Sequence, residues 1–292
     1  MPKRKAYLEI TNRCNLSCSF CPGCKRPPHS LTMEEFEHLA AKLRPFADFL
    51  YYHLLGEPTA HPLLPKFLAH AKGLGFASVI TTNGTLLHKC GDRILEEASL
   101  PHKVSISLHA FEANDIPIPF DTYLDHCIAF AQKAAARGVY IALRLWNLDG
   151  RAQGALHEKN DLVLKKLHSV FGDFEQTRSG YRLSDRIFLE WGEKFDWPSL
   201  SMPEMHESGC CYGLRDQIGV LCDGTVVPCC LDAEGDMPLG NLFTEELDTI
   251  LSSPRAKAIY DGFTAHRCQE ALCRRCMRAT YYRKEDPTSS KN

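Results

Sequence analysis

Three cysteines mark the first place where this chain can do chemistry. Cys14, Cys18 and Cys21 stand at C-x3-C-x2-C spacing in Glu9-Ile10-Thr11-Asn12-Arg13-Cys14-Asn15-Leu16-Ser17-Cys18-Ser19-Phe20-Cys21. Three thiolates in one short loop hold three irons of a cubane cluster and leave the fourth iron without a protein ligand. An open iron binds and activates a small molecule, as an open position does in other catalytic metal sites. Cys24 is expected to be a bystander, because C-x2-C-x2-C spacing would close the site. The competing chemistry is a zinc knot, which takes four ligands, usually as two couples.

A second group follows near the end of the chain: Cys210, Cys211, Cys222, Cys229, Cys230, Cys268, Cys273 and Cys276. Gly224 to Cys229 reads G-x4-C, and Cys273-Arg274-Arg275-Cys276 is a C-x2-C couple. Fourteen cysteines in a chain without a signal peptide point to metal binding or catalysis rather than to disulfides. Four thiolates from this group suit either a closed iron–sulfur cluster or a structural zinc ion.

Apolar residues make up 44% and charged residues 24%, the balance of a globular protein with a real core. The formal net charge of -2 gives no electrostatic pull toward nucleic acid or anionic membrane. The basic start, Pro2-Lys3-Arg4-Lys5, reads as a solvated end. No apolar run is long enough to span a membrane, so a cytoplasmic protein is expected.

The elements that position the cysteines can be read from periodicity. Six strands are expected at Ala6–Ile10, Phe49–Leu54, Ser78–Thr82, Val104–Leu108, Tyr140–Leu145 and Ile187–Glu190. Helical patterns separate them: one after a capping box at Thr32 to Glu35, then Leu63–Lys72, Asp92–Ala98, Tyr123–Arg137 and Asp161–Phe171. Gly138 caps the fourth. Alternating strands and helices imply an α/β fold of parallel units, and six units fit a partial (β/α)6 barrel. Residues 1–197 are assigned to that barrel. Residues 198–283 form a small cluster-binding extension, with a hairpin about Asp223-Gly224 and a helix from Glu245 to Leu251. Residues 284–292 read as a disordered tail.

The cysteine loop, with aromatic Phe20 before its last cysteine, resembles the radical S-adenosylmethionine (SAM) family. Leu55-Gly56-Glu57-Pro58, after the second strand, looks like that family's Gly-Glu-Pro motif. The resemblance implies two cofactors at this site, a 4Fe-4S cluster on Cys14, Cys18 and Cys21 and S-adenosyl-L-methionine on its open iron. It implies reductive cleavage to a 5′-deoxyadenosyl radical that abstracts a substrate hydrogen. It further implies that Phe20 contacts the adenine and that Gly56 and Glu57 hold the ammonium. Thr82, Asn83 and Ser107, at strand ends, would hydrogen-bond the carboxylate and ribose. His109 stands where the family often has Asp, and faces either cofactor or substrate. Arg144 sits inside an apolar strand pattern, where a charge needs a partner; it either grips the cofactor carboxylate or pairs within the sheet. The later cysteines resemble the SPASM/Twitch extension, with Cys211, Cys229, Cys273 and Cys276 as ligands of an auxiliary 4Fe-4S cluster and Cys210 and Cys230 as possible replacements for their neighbours. No cysteine lies between Cys230 and Cys268, so the one-cluster Twitch form is expected.

The substrate is expected to be a small molecule, with flavodoxin or ferredoxin as reductant. Phe188-Leu189-Glu190-Trp191-Gly192-Glu193 ends the last strand. Glu190, Trp191 and Glu193 either stack and hydrogen-bond a purine-like or 7-deazapurine base or form an aromatic plug. The first reading resembles queuine lyase in chain size. The short stretch before the first strand counts against the alternative, a ribosomal-peptide maturase making a crosslink or epimer. A zinc-ribbon binding protein is the non-enzymatic alternative. Metal analysis of anaerobically purified protein separates these readings: about eight irons per chain means two clusters, and zinc without iron overturns the radical chemistry.

Overall fold

A computed structural model describes residues 3–146, 158–177, 180–192 and 196–279. Glu193 and the expected tail lie outside the described residues. In chain order the strands and helices are β1 (Lys5–Leu8), α1 (Met33–Leu43), β2 (Phe49–Tyr51), α2 (Leu64–Gly73), β3 (Ala77–Thr82), α3 (Leu87–Ile94), β4 (Lys103–Ser107), α4 (Phe120–Ala136), β5 (Tyr140–Leu145), α5 (Glu158–Phe171), β6 (Glu175–Thr177), β7 (Gly180–Arg182), β8 (Ile187–Trp191), β9 (Gln217–Val220), β10 (Thr225–Val227), β11 (Gly240–Asn241), α6 (Leu247–Leu251) and α7 (Pro254–Thr264). The fold is α/β with parallel strands. All six expected strands are present, and α3 starts earlier than periodicity suggested. Two compact units emerge, one of residues 1–13, 24–56 and 195–292, the other of residues 14–23 and 57–194.

In the first unit the strand order is β11-β10-β9-β1-β2. β1 pairs in parallel with β2 and with β9, while β9, β10 and β11 form an antiparallel ribbon. The Asp223-Gly224 turn forms as expected. Gly224 has φ +83°, and a Cβ there would press on the Phe243 ring. The pairing of β9 with β1 was not legible, because a parallel partner some two hundred residues away leaves no local pattern. Helix α1 begins at a complete capping box, Thr32 with Glu35, and buries Phe36, Leu39, Ala40 and Leu43 at helical spacing. Helix α7 was missed, although Ser253 caps it by accepting from the Ala256 N–H and Pro254 opens its first turn.

In the second unit the order is β3-β4-β5-β8-β7-β6. β3, β4, β5 and β8 run parallel, and β6 and β7 add an antiparallel hairpin to the β8 edge. That hairpin was missed because Glu175-Gln176-Thr177 is polar and carries no apolar alternation. Helix α4 packs on β5 and β8. The register sorts side chains by face. Ile80, Val104, Ile106, Ile141, Leu143, Leu145, Ile187 and Leu189 share one face and are buried. The opposite face carries Thr81, Lys103, Ser105, Ser107, Arg144 and Glu190. Parallel sheets normally bury apolar residues on both faces, and here the charged and hydroxyl side chains share their face with Val79, Ala142 and Phe188.

One buried ion pair anchors the first unit. Arg26 Nη2 donates to both Glu9 oxygens, at 2.7 and 2.8 Å. The Glu9 side chain is fully buried and that of Arg26 is 12% exposed. Glu9 also accepts from the Leu55 N–H and the Cys222 N–H, both at 3.2 Å. These bonds join segments just beyond β1, β2 and β9. Nearby, Asn12 donates to the Pro27 carbonyl and accepts from the His29 N–H, both at 2.8 Å. Arg26→Leu would strand a buried carboxylate, and we expect a loss of about 3–5 kcal/mol in urea unfolding. Adding Glu9→Gln should recover part of that loss; a single variant as stable as the parent would refute the anchor.

Candidate functional site

The cysteine loop belongs to the second unit, and two asparagines tether it there. Asn15 donates to Thr85 Oγ1 and accepts from Asn83 Nδ2, both at 2.9 Å. Asn114, just after β4, accepts from the Ser17 N–H at 2.9 Å and donates to Cys18 Sγ at 3.1 Å. The Cys21 N–H bonds the Cys18 carbonyl, closing a turn between these two cysteines. Cys14 is exposed, and Cys18 and Cys21 are partly buried. Burial pushes the Cys14 thiol up to about 11. Burial also raises Cys18, against the pull of the Asn114 amide. Metal loading must therefore displace protons. Three soft thiol donors on one loop fit an open iron–sulfur cluster. Among the described residues no three His, Cys, Asp or Glu side chains are placed to hold a single metal ion.

Glu57 lies fully inside the second unit. Oε1 accepts from the Thr59 N–H (3.0 Å), the Thr59 hydroxyl (2.5 Å) and the Thr82 hydroxyl (2.7 Å), and Oε2 accepts from the Asn83 N–H (2.7 Å). Burial drives its pKa up and these donors oppose the rise. With four donors on two oxygens, the carboxylate braces the ends of neighbouring segments. Gly56, in the first unit, has φ +75°, and a Cβ would collide with the Thr11 carbonyl oxygen. The glycine is needed for that backbone approach. Thr82 and Asn83 are engaged within the protein as well: Asn83 Oδ1 accepts from both the N–H and the hydroxyl of Thr85. Sequence reading missed Asn15, Thr59, Thr85 and Asn114, which carry no spacing signal.

On the polar face, Glu190 is gripped by two cations. Lys103 Nζ lies 2.8 Å from Oε1 and Arg144 Nε 3.1 Å from Oε2. Burial raises the Glu190 pKa, but the Arg144 and Lys103 charges outweigh it and hold the carboxyl below its usual range. Arg144 therefore does pair within the sheet. It also stacks over the Trp146 ring at 4.5 Å. The pair uses Nε, and its other guanidinium donors have no partner among the described residues. Ser107 pairs with Arg144 in register, is partly buried and bonds no described side chain. His109 packs on Phe20 with ring centroids 5.0 Å apart. Its Nδ1 lies 3.2 Å from the Arg144 carbonyl. Burial, reinforced by the Arg144 charge, lowers its pKa to about 4, so the imidazole is neutral near pH 7.

Of the expected group Glu190, Trp191 and Glu193, the first two lie on opposite faces of β8. Successive strand residues point to opposite faces. Trp191 pairs with Leu145 on the apolar face and meets the Tyr181 ring edge-on, while Glu190 points the other way and is neutralised. Glu193 lies outside the described residues.

In the first unit, Cys211, Cys229, Cys273 and Cys276 line one pocket with Asp232, Met237 and Phe263. Neither Cys210 nor Cys230 lines it. Cys230 instead packs with Tyr7 against Leu54, Leu221 and Val227. Burial raises the Cys229 thiol far above its usual value, with further push from Cys230, Cys211, Cys273 and Cys276. Burial pushes Cys211 to about 12. Arg274 and Arg275, between the last two cysteines, both hold Glu204, at 3.1 and 3.0 Å. Four converging thiols suit a cluster with a full set of protein ligands.

Comparison with known proteins agrees with this geometry. The radical SAM superfamily model matches residues 8–139, and the SPASM iron–sulfur cluster-binding domain model matches residues 210–277. A tungsten-containing aldehyde ferredoxin oxidoreductase cofactor-modifying protein of Pyrococcus furiosus is 32% identical over 115 residues, 38% of this chain and 31% of that protein. A PqqA peptide cyclase of Bradyrhizobium diazoefficiens is 32% identical over 108 residues, 36% of this chain and 28% of that protein. The chain spans about a third of the length of the curated relatives it matches. Among solved structures, Streptococcus suis SuiB bound to S-adenosylmethionine aligns over 97% of this chain and 74% of its own, with TM-score 0.61 and 15% identity. BtrN in complex with AdoMet and 2-DOIA aligns over 95% and 94%, with TM-score 0.56 and 15% identity. No helix among the described residues is long and apolar enough to cross a membrane. The two domains carry S-adenosylmethionine with a 4Fe-4S cluster, and auxiliary iron–sulfur clusters, respectively. With its cysteine loop in the first matched region and its later cysteines in the second, the chain carries a radical SAM domain followed by a C-terminal SPASM domain.

Proposed function

We propose that this enzyme modifies a peptide, forming a crosslink or an epimer after hydrogen abstraction. The observation that carries the reading is the local identity to PqqA peptide cyclases, seen in three separate organisms. The site geometry supports it from the other side. A base-reading pocket needs free acceptors beside an aromatic platform, whereas Glu190 is held by two cations and Trp191 points to the opposite face. A purine-like or 7-deazapurine substrate draws no support from the relatives.

Cys14, Cys18 and Cys21 would hold the open cluster, and Cys211, Cys229, Cys273 and Cys276 the auxiliary one. When bound, the open cluster and S-adenosylmethionine supply one-electron cleavage of the sulfonium and abstraction of a substrate hydrogen, with a flavodoxin or ferredoxin as electron source. The Arg144 guanidinium nitrogens that bond no described residue would receive a carboxylate, and the Ser107 hydroxyl a ligand hydroxyl. Phe20 and neutral His109 pack as an uncharged, mutually tilted aromatic pair that would contact adenine. Residues 1–197 would serve as the catalytic barrel, residues 198–283 as the auxiliary-cluster region.

Incubation of reconstituted enzyme with S-adenosylmethionine, dithionite and a pool of short peptides tests this reading. We expect peptide-stimulated release of 5′-deoxyadenosine and a mass change in at least one peptide. Stimulation by queuine alone would overturn it. Cys14→Ala should reduce 5′-deoxyadenosine release to background; surviving cleavage would refute the cluster assignment.

A further inference from the structure

We propose that Asn114 is a positioning residue for the open cluster, donating a hydrogen bond to the Cys18 sulfur that raises the cluster's reduction potential. The inference rests on the thiol donor set and not on the nature of the substrate.

Three contacts fix the Asn114 amide. Its Oδ1 receives the Ser17 N–H at 2.9 Å, and its Nδ2 donates to the Ala110 carbonyl at 2.7 Å and to Cys18 Sγ at 3.1 Å. A backbone N–H only donates and a backbone carbonyl only accepts. A flipped amide would face each with a group of the wrong polarity. The orientation is therefore set by the backbone, and the remaining N–H is directed at the sulfur. Ala110 and Ser17 hold the side chain from two chain segments, so the donor is ordered before any cluster binds.

A donor aimed at a ligating thiolate stabilises negative charge on that sulfur. One electron from an external reductant makes the cluster more negative, so the bond strengthens on reduction and favours the reduced form. Hydrogen bonds to cluster sulfurs are among the means by which a protein sets such potentials. Neighbouring Cys14 has only the Leu16 N–H near its sulfur, at 3.4 Å. Asn114 is thus the side-chain donor to this cysteine set among the described residues.

The test uses the holoenzyme, reconstituted anaerobically, with iron content measured and the reduced-cluster EPR signal followed through a redox titration. The open cluster is recognised as the signal that S-adenosylmethionine perturbs. Asn114→Asp keeps an acceptor for the Ser17 N–H but removes the donors to the Cys18 sulfur and the Ala110 carbonyl. We expect full iron content and a roughly tenfold smaller reduction equilibrium constant, about 59 mV more negative for one electron. Asn114→Leu removes all three contacts and should add a loss of iron to a similar fall in potential. Being uncharged, Asn114→Leu separates loss of the donor from the effect of the added negative charge. An unmoved midpoint in iron-replete Asn114→Asp would overturn the proposal. Loss of iron in Asn114→Leu with an unmoved midpoint in its remaining cluster would do so too, by making the residue a loop tether alone.

Discussion

The first unit depends on the Glu9–Arg26 pair. A carboxylate with no exposed surface is tolerable only when its oxygens are filled, and here two backbone N–H groups and one guanidinium fill them. The pair brings residues 9 and 26 together, so everything between them must leave and return through one neck. Asn12 fastens that neck again at Pro27 and His29. The cysteine loop is therefore a constrained excursion from the end of β1 and starts with less conformational freedom to lose. Glu9 is also the point where the ends of β1, β2 and β9 are tied to one another.

The second unit applies the same device with different groups. Glu57 collects four donors and bridges the start of one segment to the end of β3, and Asn83 extends that bridge to Asn15 on the cysteine loop. Buried carboxylates thus hold loops in both units. On the polar sheet face, the partly exposed Lys103, Glu190 and Arg144 compensate one another's charge, while Ser105 is buried with no hydrogen-bond partner among the described residues. A buried unpaired hydroxyl is expensive, and its place on the face that carries Ser107 and Arg144 fits a surface meant to receive a ligand.

Much of this was legible in the residues, and the reasons differ by feature. The cysteine spacings, the capping box at Thr32 and the Asp223-Gly224 turn are local signals, complete within a few positions. The six expected strands were legible because they are short, mostly apolar stretches rich in β-branched and aromatic residues, set between helical patterns. The tethers were not. Asn15 and Asn114 are ordinary polar residues until the fold places them beside Asn83 and Cys18. Glu57 matched a motif, yet its donors come from residues 59, 82 and 83, two of them on a different segment. Trp191 and Glu190 looked like one recognition group because they adjoin in sequence, and strand alternation separates them. The hairpin of β6 and β7 was hidden by its polar composition.

The auxiliary cysteines lie on distant stretches of chain: Cys211 and Cys229 flank the β9–β10 hairpin, and Cys273 and Cys276 follow α7. An inorganic core bonded to all four would act as a crosslink closing a long loop, restricting the unfolded chain as a disulfide does. Iron supply then becomes a folding determinant as well as a catalytic one. A chain made under iron limitation would expose its last eighty or so residues to proteases far more often than the loaded protein, so its cellular lifetime would report the cell's cluster-assembly capacity.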